Sequence, residues 1–231
     1  MDGMARVRYS LRSGGRTFWA VVGIVWGFVS WGAESGEAGG GLIPEVKAER
    51  RICFAMYAVH RGVLKLTAQL YPVPAGINRD VYLDVRRGGG WKQVAQEKVA
   101  EKGWAATFRV EGWDASQDVP YRVRHGRVAE YDGVIRKDPA AKDTIVVAVF
   151  SGNETLGGEG AEIPKADLLS NVKKIKPDLL FFAGGQVCAG ENHLAHWLRF
   201  GREFGEVLRG CPAVCLPDAS DLGQEIGRAH V

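Results

Sequence analysis

At Asp138-Pro139 the hydrophobic period of the chain changes, and a single layer of secondary structure cannot serve both periods. Upstream, short runs alternate apolar and polar residues and end at turn formers. "VLKLTAQLYP" (63–72) stops at Pro72, and "DVYLDVRRGGGW" (80–91) breaks at three glycines. "WAATFRVEGW" (104–113), "VPYRVRHG" (119–126) and "AEYDGVIRK" (129–137) repeat the alternation. Helical spacing shows only weakly, at residues 92–101. Short strands at this spacing predict an antiparallel sandwich across residues 42–138. About 90 residues suffice for such a unit to hold its own core.

Downstream the runs are continuous. "TIVVAVF" (144–150), "DLLFFAG" (178–184) and "AVCLP" (213–217) read as strands buried on both faces. Between them, "KADLLSNVKKI" (165–175) places Leu168, Leu169, Val172 and Ile175 on one helical side, and Pro177 ends it. A longer amphipathic helix over 191–210 carries Leu194, Trp197, Leu198, Phe204 and Leu208 as its stripe. Gly210 stands where a C-cap glycine belongs, and Gly201 and Gly205, one turn apart, permit close packing on the sheet. Strand-helix-strand-helix-strand implies right-handed crossovers and a parallel sheet in residues 139–231. The fold class is thus all-β followed by α/β.

Residues 1–33 form a third region. Arg6, Arg8, Arg12 and Arg16 precede an apolar run over residues 18–33 that has no charge. A basic start, an apolar stretch and small residues at its exit are the parts of a signal peptide. The run is short for a membrane span of about 20 residues. A retained anchor remains the alternative, since Trp26 and Trp31 suit a membrane interface. The location expected is secreted or periplasmic, or membrane-anchored through residues 18–33. Residues 34–41, "ESGEAGGG", read as a flexible linker.

Thirty basic against 27 acidic residues, with no basic cluster among aromatics, argue against a nucleic-acid partner. Four cysteines in 231 residues are not a disulfide framework. Cys211 and Cys215 would lie roughly 13 Å apart along a strand at ~3.3 Å per residue, too far for a bridge unless a turn at Pro212 shortens it, so both read as buried free thiols. His60 and His125 read as core residues. His193 and His196 share a helix face, which reads as solvated, with Glu191 the nearest acid. The glycine-rich loop "SGNETLGGEG" (151–160) lacks both the spacing and the lysine of a phosphate-binding loop.

In parallel α/β sheets, ligands bind outside the carboxyl ends of the strands. Three loops therefore matter: Ser151-Gly152-Asn153-Glu154, Gly184-Gly185-Gln186 and Asp218-Ala219-Ser220-Asp221. Together with "PDLLFFAGGQV", "FGREFGEVLR" and "CLPDASDLGQ", they make the chain resemble the alkaline phosphatase D-like metallophosphoesterases over residues 50–224. That resemblance implies a secreted protein with an N-terminal fibronectin- or immunoglobulin-like sandwich and a metallophosphoesterase-like α/β domain. The family hydrolyses phosphate mono- or diesters with calcium, iron, manganese or zinc ions, through attack by a metal-bound hydroxide.

Residue by residue, Gly184 and Gln186 match the family's second loop, but Gly185 replaces its metal-bridging Asp. In the third loop Asp218 and Asp221 match, Ala219 replaces a ligand Asp and Ser220 replaces the His. The resemblance leaves Asp218, Asp221 and Asn153 as remnants of the metal site and Gln186 as a substrate-side residue. No catalytic residue is intact. Later strands of the family supply further histidines, so the α/β domain reads as incomplete, and "IGRAHV" (226–231) resembles a translated sequencing adapter. The expectation is a phosphoesterase-family chain that is inactive as written. The alternative is a non-catalytic extracellular binding module that uses its sandwich.

Overall fold

The computed structural model describes residues 5–13, 16–24, 43–151, 165–187, 192–218 and 221. Strand β1 (Ala5–Ser13) pairs antiparallel with β2 (Arg16–Ile24), and β2 approaches the parallel sheet described below. This hairpin occupies part of the stretch expected to be an export signal. A strand period is present in it: Arg6, Arg8 and Arg12 alternate with Val7, Tyr9 and Leu11. The 34–41 linker, the 151–160 loop beyond Ser151 and residues 226–231 lie outside the described residues. Among the described residues no helix is long and apolar enough to cross a membrane.

The alternating segments form two antiparallel sheets. One has the order β3-β4-β7: β3 (Ile52–His60), β4 (Val63–Leu70) and β7 (Ala105–Glu111). The other has the order β6-β5-β8-β9: β5 (Asp80–Arg87), β6 (Gly90–Lys98), β8 (Val119–His125) and β9 (Ala129–Ile135). Burial follows the period of two. Leu64, Leu66, Ala68 and Leu70 of β4, and Val81, Leu83 and Val85 of β5, point into one core. The weak helical spacing at 92–101 is corrected here: most of that segment is edge strand β6. Its residues are exposed or half-buried, so no apolar face displays the strand period. A bulge at Leu83/Asp84 shifts its register against β5.

After Pro139 come β10 (Val147–Phe150), α1 (Lys165–Ile175), β11 (Leu179–Ala183), α2 (His193–Leu208) and β12 (Ala213–Leu216). The strands are parallel in the order β10-β11-β12. Helices α1 and α2 touch each other on one face of this sheet, as two same-handed crossovers in that order require. Under them Phe150, Leu180, Phe182 and Ala213 are buried. On the other face Val147, Val149, Leu179, Phe181 and Val214 are only half-buried and Leu216 is 51% exposed. The expectation of burial on both faces therefore holds for one face among the described residues, because both helices lie on the same side.

Helix α2 joins the two halves. Phe200 and Phe204 meet Phe182 edge-on at centroid separations of 4.9 and 5.1 Å. Its other side meets the sandwich. Trp197 donates from Nε1 to Gln69 Oε1 at 3.1 Å, Tyr131 donates to the Gly205 carbonyl at 3.1 Å, and Val134 N–H to the Arg209 carbonyl at 3.0 Å. Gly201 lies directly on the Phe54 ring: a Cβ there would come within 2.6 Å of Phe54 Cγ and nearer still to the ring edge. The two glycines thus serve the sandwich rather than the parallel sheet. Only Gly201 must be glycine for space, because a Cβ at Gly205 would meet its nearest neighbour, the Tyr131 hydroxyl, at 3.9 Å. Gly210 follows the α2 cap, Arg209, without the left-handed φ expected of a C-cap glycine.

Gly201→Ala should destabilise the protein by about 1–3 kcal/mol, the range for forcing a methyl into a packed core. Gly205→Ala should be neutral or slightly stabilising, since alanine is the better helix former. Thermal unfolding of both variants checks this, and equal effects would show that α2 does not dock through Gly201.

Candidate functional site

The parallel sheet carries its strands' carboxyl ends to one edge. β10 runs into Ser151, β11 into Gly184–Val187, and β12 into Pro217-Asp218 with Asp221 just beyond. Asn153, Ala219 and Ser220 lie outside the described residues. The structure brings Gly184, Gly185, Asp218 and Asp221 together, so two of the three predicted loops meet as the topology implies.

Their contacts are specific. Asp221, 6% exposed, accepts three main-chain hydrogen bonds. Gly185 N–H and Asp218 N–H reach Oδ2, each at 3.0 Å, and Val187 N–H reaches Oδ1 at 2.7 Å. In return Asp221 N–H donates to Asp218 Oδ1 at 3.2 Å. Asp218 is exposed and its side chain lies over Gly184, whose φ is +89°. A Cβ on Gly184 would fall within 2.6 Å of Asp218 Cβ and Cγ, so the glycine makes room for the aspartate. Gly185 has a φ of +70°. Gln186 is buried, and its Nε2 has no hydrogen-bond partner among the described residues. On β12, burial and, secondarily, the Asp221 charge push the Cys215 thiol up to about 12. Among the described residues no three His, Cys, Asp or Glu side chains form a group that could hold a metal.

The remaining sequence candidates are scattered. His193 is exposed and His196 half-buried on α2. Cys53, Cys211 and Cys215 are free thiols, and Cys211 donates to the Pro177 carbonyl at 3.2 Å. His60 lies at the exposed end of β3 rather than in the core, because β3 turns into β4 immediately after it. His125 is buried as expected, and its Nε2 donates to the Asn78 carbonyl at 2.8 Å.

A cavity of about 220 Å³ lies at the opposite, amino end of β11 and β12, against the sandwich. Tyr57, Arg136, Lys142, Asp178 and Pro212 are among its lining residues. Three of its charged side chains have partners. Lys142 pairs with Asp178, which also accepts Val146 N–H at 3.0 Å, and Arg136 donates to the Pro177 carbonyl at 2.5 Å. The sequence carries no signal for this cavity, because its walls come from segments around Tyr57, Arg136, Asp178 and Pro212, distant in the chain, that only docking unites.

A solved structure of PhoD is similar to this chain over 78% of the chain, with a TM-score of 0.57 and 15% sequence identity. The chain spans 41% of the length of that PhoD chain. The likeness shows the fold, which is PhoD-like. A beta-glucuronidase of an uncultured Clostridium sp. aligns with 71% of this chain and 28% of its own length at 10% identity, and its TM-score of 0.26 carries no argument. No protein-family model and no curated protein matches the chain.

The His125 environment generates a pH dependence. Burial pushes the imidazole below its ordinary value, against the opposing pull of the Asn78 hydrogen bond. The unfolded chain then binds a proton at a higher pH than the native one, so stability is complete above the ordinary histidine range and declines as pH falls through about 6.5. Denaturant unfolding between pH 7.5 and 5.5 should show this decline. His125→Gln should flatten it in that window, whatever it does to stability at pH 7.5.

Proposed function

We propose that the chain is a phosphoesterase-type scaffold in which the crevice at the carboxyl ends of β10, β11 and β12 stands where a phosphate ester would be processed. As written, it does not hydrolyse one. The PhoD-like fold supports the scaffold reading. On this reading the sandwich is of the fibronectin type, with three strands facing four, and the α/β unit is a partial metallophosphoesterase domain. Residues 1–33 serve in export or anchoring, supported by the four arginines before the apolar run. N-terminal sequencing of the exported protein should then begin beyond residue 33, unless the segment is retained as an anchor. A full-length product in the cytosol would refute both.

One observation carries the inactivity: both carboxylate oxygens of Asp221 are taken up by main-chain N–H groups. A two-metal phosphoesterase site needs a carboxylate bridging cations about 3.5–4 Å apart, and bound metal supplies the hydroxide at neutral pH. The position that would bridge is Gly185, and Asp221 already accepts three N–H groups. The donors among the described residues therefore do not fit the two-metal site that the fold family implies. Gly185→Asp alone should not create one, because it also places a side chain at a φ of +70°.

The alternative, a non-catalytic binding module, draws on the outer face of the four-stranded sheet. There Trp91 is 38% exposed, and the guanidinium groups of Arg86 and Arg122 stand over its ring at 5.4 and 4.8 Å. An assay of the purified chain with a chromogenic phosphodiester and added calcium, iron, manganese or zinc decides the main reading. No metal-dependent turnover is expected. Turnover that a chelator abolishes and Asp218→Ala removes would show a working site.

A further inference from the structure

The two aspartates that match the phosphoesterase pattern also bond to each other and to the main chain. Asp218 Oδ1 accepts Asp221 N–H at 3.2 Å, and Asp221 Oδ2 accepts Asp218 N–H at 3.0 Å. This reciprocal exchange between residues three apart has the hydrogen-bond pattern of a capping box. In an ordinary capping box the acidic member serves only its own helix start. Here Asp221 also accepts Gly185 N–H at 3.0 Å and Val187 N–H at 2.7 Å from the loop that ends β11. One carboxylate therefore ties the end of β12 to the end of β11.

We infer that Asp218 and Asp221 form a capping box whose acidic member clamps the ends of β11 and β12 together, so that main-chain hydrogen bonds rather than a bridging cation close the crevice. A carboxylate that accepts three N–H groups has its charge already stabilised, because such charge-assisted bonds are among the strongest in proteins. A cation bound through Asp221 would have to compete with these N–H groups for the carboxylate, whose Oδ2 already accepts two and Oδ1 one. The space that Gly184 leaves is filled by Asp218 itself. The clamp also explains why both aspartates accompany a glycine at position 185: its N–H reaches Asp221 from a backbone with φ of +70°.

The clamp extends the proposed inactivity by giving the two residues another task, and its test is separable from any activity assay. The purified full-length chain is treated with a chelator, and its thermal unfolding is followed with and without excess calcium, manganese or zinc. The melting temperature should not respond. A cation held by the native crevice at a hundredfold excess over Kd would raise it by roughly 5–10 °C. In metal-free buffer Asp221→Ala should lower it by about 5 °C or more, and Asp221→Asn by less, since an amide keeps one acceptor oxygen. Amide exchange at Gly185, Val187 and Asp218 should be slow in the wild type and fast in Asp221→Asn. Should Asp221→Ala fail to fold, the metal titration of the wild type and the exchange of Asp221→Asn still decide. A metal-induced rise that Asp221→Asn abolishes would overturn the clamp, as would unchanged stability and protection in the Asp221 variants. Phosphodiester turnover with no metal-induced shift would sink the proposed inactivity and leave the clamp standing.

Discussion

Helix α2 has two apolar faces, and each belongs to a different half of the chain. One packs Phe200 and Phe204 edge-on against Phe182 of the parallel sheet. The other sets Gly201 under the Phe54 ring and meets that ring edge-on with Trp197 at a centroid separation of 5.4 Å. Because Phe54, Phe182, Phe200 and Phe204 share one cluster, the sandwich and the α/β unit have a merged core. Edge-to-face aromatic pairs of this kind add about 0.5–1.5 kcal/mol each beyond the area they bury. A three-stranded parallel sheet with two helices on one side is a small unit, and this shared core supplies burial that it could not make alone.

The seam is also polar, and there it is specific. Gln69 is buried between the halves, its amide donating to the Gly103 carbonyl at 2.7 Å while its oxygen receives Trp197 Nε1–H. Arg136 and Cys211 both donate to the carbonyl of Pro177, just before β11. Such bonds fix which residues face each other across an apolar contact that would otherwise tolerate sliding. Asp84 plays the corresponding part within the four-stranded sheet. Burial works against its charge, but Arg124 and Arg122 more than offset that and hold its carboxyl below the usual range. Protonation at low pH would free both guanidiniums, so this network contributes stability above the ordinary aspartate range and loses it as pH falls below.

The crevice shows how the same letters serve two chemistries. Asp218 and Asp221 stand where the resemblance places metal-site residues, yet they bond to each other through main-chain N–H groups. What separates the two readings is partner rather than residue type: three N–H groups on one carboxylate in place of a second carboxylate and a shared cation. Gln186 has no such account. It is buried with Nε2 unpartnered, and the structure offers no physical reason for it among the described residues.

The sequence by itself determined the two hydrophobic periods, and with them the antiparallel half, the parallel half, the helices between the strands and the loops at their carboxyl ends. These are local properties, set by where side chains point in a strand or a helix. It misread β6, because a polar edge strand leaves no periodic trace, and it passed over the alternation in residues 5–13, where arginines read as an export signal. It placed Gly201 and Gly205 on the wrong sheet, since a glycine pair declares close approach but not to what. Only the tertiary structure decided that α2 is shared, that one face of the parallel sheet is left half-buried by the described residues, and that Asp221 is held by main-chain N–H groups. Each of those depends on contacts between segments distant in the chain, such as Phe54 with Gly201 or Gly185 with Asp221, and residue spacing carries no record of which distant groups will meet.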